Sequence, residues 1–95
     1  MNYYVYIISN FHRTVLYIGV TSDLHKRIAQ HNNEGVQGFS AKYHLTDLIY
    51  FEEFSSVFEA ISREKQLKGW RRSKKEELIN KVNPKWKECP ESIPI

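Results

Sequence analysis

Two short runs rich in aromatic and β-branched residues, Tyr3 to Ile8 and Val15 to Val20, flank a short polar connection that opens with Ser9 and Asn10. Such residues suit a pleated, half-buried surface, so the pair reads as an antiparallel hairpin. A third run, Leu48 to Phe51, continues into Glu52, Glu53 and Phe54 and completes a three-stranded sheet, reached from the hairpin through a helix.

That helix opens at Thr21, Ser22 and Asp23, whose side-chain oxygens are candidate caps. Leu24, Ile28 and His31 then recur at helical spacing until Asn32, Asn33 and Gly35. A second helix begins at Ser56, which forms a capping-box pattern with Glu59, and carries Val57, Ala60, Ile61 and Leu67 as one apolar stripe up to Gly69. A second capping-box pattern, Ser73 with Glu76, introduces a third helix holding Leu78, Ile79 and Val82 and closed by Pro84. The fold class is α/β of the α+β type: a small three-stranded antiparallel sheet flanked by about three helices.

A chain of 95 residues has room for one domain and one core. With 41% hydrophobic and 26% charged residues it lies far from the composition of disorder. The domain is expected over residues 1–86, with 87–95 an irregular tail marked by Pro90 and Pro94. Cys89 is the only cysteine, so neither an intrachain disulfide nor a cysteine-rich zinc site can form. Tyr3 to Ile8 is too short to span a bilayer and follows no basic leader, so a cytoplasmic setting without membrane association is expected.

The net charge of +3 permits an anionic partner, and its distribution says more than its size. Seven of the fourteen Lys and Arg residues, Arg63, Lys65, Lys68, Arg71, Arg72, Lys74 and Lys75, fall within thirteen positions where Glu64 is the only acid. This makes a local positive field.

Three polar residues sit where an apolar core would not put them. With Leu24 at zero on a helical wheel, Ile28 falls at about +40°, His31 at about −20° and Arg27 at about −60°, so both polar side chains border the buried stripe. Four positions apart, they can address one site. Glu64 lies near the middle of the second helix's stripe, where a carboxylate is costly to desolvate unless a cation or donors compensate it. A hard divalent ion would do so, because Mg²⁺ is often held by one or two carboxylates plus water and substrate phosphate. On pattern alone, Arg27 with Glu64 also reads as an ordinary ion pair, His31 as a structural histidine, Tyr6 and Tyr17 as core aromatics, and the basic run as a solvated helix face.

Taken together, the order and spacing of these residues resemble the GIY-YIG nuclease superfamily, and in particular its small stand-alone bacterial members. The resemblance covers roughly Tyr4 to Leu78. Tyr4-Val5-Tyr6 stands for the first half of the name motif, Tyr17-Ile18-Gly19 is the second half as written, Arg27 sits on the following helix and Glu64 on the later one. The resemblance implies metal-dependent phosphodiester hydrolysis with Mg²⁺ or Mn²⁺ held by Glu64. Tyr6 and Tyr17 would orient or deprotonate the attacking water, Arg27 would stabilise phosphoryl charge, and His31 matches a histidine that some members use in proton transfer. Gly19 would let backbone approach the site closely.

Two positions depart from the family pattern. The first motif lacks its glycine, and Glu76 stands where the family tends to carry an asparagine, for which Asn80 or Asn83 would substitute.

The expected function is an endonuclease acting on DNA rather than RNA, structure-specific in repair or recombination, with a partner protein consistent with targeting. Nucleic-acid contacts are expected from Gly19, Lys65, Lys68, Arg71, Arg72, Lys74 and Lys75, and from Lys42 and Tyr43 in the segment between the first helix and the third strand. Two rivals stay open: a nucleic-acid-binding module without turnover, and a protein-interaction domain with a basic face.

Overall fold

The computed structural model describes residues 2–33, 45 and 47–87, and for residues 30–33 the backbone alone. Strands β1 (Tyr3–Ser9) and β2 (Leu16–Thr21) form the hairpin, α1 (Leu24–Asn33) follows, and β3 (Asp47–Phe54) precedes α2 (Val57–Lys68) and α3 (Arg72–Val82). The three strands are antiparallel in the order β2-β1-β3. The expected sheet and its three helices are present.

β1 takes the centre because of its sequence. Tyr4 to Ser9 are all buried. An unbroken apolar run with no polar alternation can be satisfied only by cover on both faces of the sheet. On one face Val5, Ile7, Ile18, Ile49 and Tyr50 pack with Ala60 of α2, Leu67 of α2 and Ile79 of α3. On the other, Tyr4, Tyr6, Ile8 and Leu48 pack with Leu24 of α1 and with Leu45, while Tyr17 and Ile28 lie at the margin. The pairing of β1 with β3 slips between Ile7 and Ile8, because Ile7 faces Tyr50 and Ile8 faces Leu48. Ile49 is the extra residue of this bulge, which explains why Ile49 and Tyr50 join the same cluster although adjacent in sequence.

The caps came out unequally. Asp23 Oδ1 accepts from the backbone N–H of Lys26 at 3.0 Å and starts α1, and Ser56 accepts from the N–H of Glu59 to start α2. The Ser73 and Glu76 box does not form. Helix α3 starts earlier, at Arg72, with Arg71 as N-cap and no side-chain cap bond, and Glu76 instead pairs with Arg72 at 2.9 Å. The apolar stripe of α2 is also narrower than its spacing predicts, since Ala60 and Leu67 are buried whereas Ile61 is 36% exposed. Val82 of α3 likewise faces out.

Polar contacts fix the turn and the tail end. In the β1–β2 turn Arg13 adopts a left-handed backbone (φ 59°), and its guanidinium pairs with Asp47 at 2.6 Å while donating to the carbonyls of Asn10 and Trp86. Arg72 reaches the same turn and donates to the carbonyl oxygens of Thr14 and Arg13 at 2.8 and 2.7 Å. Asn83 donates to the carbonyls of Ile49 and Lys87, which ties the end of α3 to β3.

Candidate active site

The hairpin register sets the site. Tyr6 of β1 stands directly across from Gly19 of β2, and the fully buried Tyr6 ring lies over the glycine. A Cβ at Gly19 would meet the Tyr6 hydroxyl and come within 2.5 Å of its Cζ. Gly19 therefore makes room for a phenol within the chain. Tyr17 lies two residues earlier on the same face of β2, is only half-buried, and belongs to an edge strand.

α1 supplies the guanidinium. Its first turn is pinned by Asp23, whose carbonyl accepts from the N–H of Arg27 at 3.0 Å, and Leu24 anchors the helix in the core. Arg27 Nε then donates to the Tyr6 hydroxyl at 3.1 Å. Burial pushes the Tyr6 phenol above its ordinary range, although the Arg27 hydrogen bond and charge act the other way. Arg27 in turn is held further in its charged form, chiefly by Tyr6, with Tyr17 adding to the effect. Two phenols and one guanidinium thus share one neighbourhood.

The carboxylate comes from α2. Glu64 keeps only 15% of its side chain exposed and pairs through Oε2 with Lys68 Nζ at 2.8 Å, one helical turn on. The hydrogen bond that Lys68 donates to Glu64 holds the lysine above its ordinary range, partly offset by desolvation, with Tyr17 and Tyr6 adding smaller effects of the same sign. The spacing of Glu64 and Lys68 was visible in the sequence as a favourable i,i+4 pair, yet it reads there only as one more basic residue.

The remaining expected residues divide. His31 belongs to α1, but its side chain lies outside the described residues, as do Lys42 and Tyr43. Lys65, Arg71 and Lys74 are exposed and Lys75 is half-buried, with the Lys74 ammonium 4.3 Å from the Trp70 ring centre. Arg72 was expected to meet phosphate, but its guanidinium is engaged by the β1–β2 turn and Glu76. Arg63, part of the same basic run, forks onto Glu52 with bonds of 2.9 and 3.0 Å. Asn80 and Asn83, the substitutes for the family asparagine, are both taken up locally: Asn80 accepts from the Trp86 indole, and Asn83 bridges Ile49 and Lys87.

Among the described residues no three His, Cys, Asp or Glu side chains converge. One carboxylate with water and phosphate oxygens is a sufficient shell for a hard divalent ion, so the mostly buried Glu64 oxygen donor fits such a metal.

Residues 2–77 match the model of the GIY-YIG catalytic domain. The chain belongs to the GIY-YIG family. That places it in a nuclease superfamily whose members are in general endonucleases. Its relatives include a UPF0213 protein of Clostridium perfringens, 42% identical over 81% of this chain and 82% of that protein. Another, from Natronomonas pharaonis, is 35% identical over 82% of this chain and 91% of the relative. The solution NMR structure of a UPF0213 protein from Bacillus halodurans superposes on this GIY-YIG chain with a TM-score of 0.59 at 29% identity, covering 90% of each. No helix among the described residues is long and apolar enough to cross a membrane.

Proposed function

We propose that the chain is a metal-dependent endonuclease that hydrolyses phosphodiester bonds in DNA, with Tyr6, Tyr17, Arg27 and Glu64 as its working residues and His31 as an auxiliary proton carrier. The observation that carries this reading is the Arg27 Nε to Tyr6 hydroxyl bond, which ties a permanent cation to a buried phenol beside the half-buried Tyr17. The bond satisfies a buried phenol, and the same guanidinium is a preorganised cation of the kind that stabilises charge building on a phosphoryl group.

Each residue has a separate task. Arg27 presents a planar fork, suited to two phosphoryl oxygens, and never loses its charge. Tyr6, buried and bonded to Arg27, sets the direction of that fork. Tyr17 is the more accessible phenol and orients the attacking water through its hydroxyl. Glu64 holds the divalent ion, Mg²⁺ or Mn²⁺, which when bound supplies Lewis acidity and stabilises the leaving oxygen. Lys65, Lys68, Arg71, Lys74 and Lys75 give sequence-independent contact with the phosphate backbone, so targeting falls to DNA structure or to a partner protein.

A nicking assay with Mg²⁺ or Mn²⁺ against duplex, nicked, branched and single-stranded DNA tests this. Cleavage that Glu64→Ala and Arg27→Ala each abolish while DNA binding persists is the expected result. Binding without cleavage under either metal overturns the enzyme reading in favour of a binding module. Salt-insensitive indifference to every nucleic acid leaves a protein-interaction domain.

A further inference from the structure

We propose that Lys68 is a built-in counter-ion of Glu64, displaced when a divalent cation arrives. The inference rests on Glu64 being the metal ligand and adds how the site is kept when no metal is bound.

The asymmetry of the pair supports it. Glu64 is 15% exposed and fixed along α2, while Lys68 is 52% exposed and joins it from the solvent side at 2.8 Å. A mostly buried carboxylate without a cation is strongly unfavourable, so some positive charge must always attend it. The lysine is the partner free to leave, because its ammonium is a compact charge on a flexible four-carbon stem. In the exchange the carboxylate trades one monovalent cation for one divalent cation, and the exposed lysine ammonium returns to solvent.

The full chain and its Lys68→Met, Lys68→Arg and Glu64→Gln variants can be titrated with Mn²⁺ while free manganese is followed by electron paramagnetic resonance. Removing a half-exposed competitor should tighten Mn²⁺ binding by about 3–5-fold in Lys68→Met. Lys68→Arg should stay near the parent, and Glu64→Gln should lose binding. Thermal unfolding gives the second readout: metal-free Lys68→Met melts below the parent, and saturating Mn²⁺ closes most of that gap. Lys68→Gln, which keeps a polar group, serves if the methionine variant does not fold. Mn²⁺ affinity in Lys68→Met or Lys68→Gln equal to or weaker than the parent's overturns the exchange. If instead neither parent nor Lys68 variants bind Mn²⁺, the metal role of Glu64 falls, and the exchange with it.

Discussion

Tyr6 and Gly19 are register partners across the hairpin, and the phenol ring occupies the space where any side chain at position 19 would begin. Replacing Gly19 by alanine puts a Cβ 2.5 Å from Tyr6 Cζ and 2.9 Å from Cε2, distances that real Cβ atoms do not reach. The ring is fully buried on β1, the central strand, so it cannot swing away without disturbing Tyr4, Ile8 and Leu24 around it. Gly19→Ala should therefore destabilise the fold by about 1–3 kcal/mol, the usual cost of overpacking a core. Because the shift also breaks the Arg27 bond, activity should fall by about 10²-fold even at temperatures where the variant is folded. Urea denaturation and a nicking assay on one preparation check both halves.

Arg27 and Tyr6 act as one unit if the guanidinium works only in the direction the phenol gives it. Arg27→Lys keeps a positive charge but loses the Nε–H that donates to Tyr6 and the second arm of the fork. Its cleavage rate should drop by about 10²–10³-fold, in the range seen when a transition-state donor is removed. Tyr6→Phe should cost less, about tenfold, through loss of orientation. The double variant should be little worse than Arg27→Lys alone, and full additivity in a double-mutant cycle would show that the bond has no catalytic consequence.

Much of this was legible in the sequence, and the reasons are local. The aromatic and β-branched run of β1 announced a strand of a hairpin, and Asp23 and Ser56 announced helix starts that the backbone uses. Glu64 stood out because a carboxylate in an apolar stripe is costly, and its low exposure agrees with that placement. What the sequence could not carry were the long-range partners. Arg72 and Arg63 look like two more members of a basic run, yet one binds carbonyls 58 and 59 positions away and the other a glutamate on β3. The Ser73 box failed for a related reason: the grip of Arg72 on Glu76 and on the turn begins α3 ahead of the serine. The bulge at Ile49 is equally silent, because an extra residue in a continuous apolar run leaves no break in pattern.

Alkaline conditions should expose the buried phenols. Burial holds Tyr6 and Tyr50 above their ordinary value near 10, and at Tyr50 the hydrogen bond to Glu52 adds to the effect. For a group raised in the folded state, the stability contribution is complete below the unfolded pKa. It is lost as pH rises from that value through the folded one, because the unfolded chain sheds its proton first. The urea midpoint should thus hold steady up to about pH 9.5 and fall steeply above about pH 10. Tyr50→Phe should flatten that fall. An unchanged alkaline slope in Tyr50→Phe would show that the Tyr50–Glu52–Arg63 cluster does not resist ionisation.

Adjacent arginines at the start of α3 should fail in different ways. Arg72 donates to the carbonyls of Thr14 and Arg13 and to Glu76, so Arg72→Ala releases the β1–β2 turn and leaves two carbonyls without their donor. The carbonyls are near solvent, which limits the loss to about 1–2 kcal/mol, read as a lower denaturation midpoint. Arg71 is exposed and caps α3 through its backbone, with no side-chain cap bond, so Arg71→Ala should leave stability within about 0.5 kcal/mol of the parent. If Arg71 meets a phosphate, its loss should weaken duplex binding for every sequence alike and lower the salt slope by about one unit. The two measurements cross: stability moves with Arg72 and salt dependence with Arg71. A salt slope that responds to Arg72→Ala in a fully folded sample would return that guanidinium to the nucleic-acid surface, and one that ignores Arg71→Ala would shift the phosphate track toward Lys65 and Lys68.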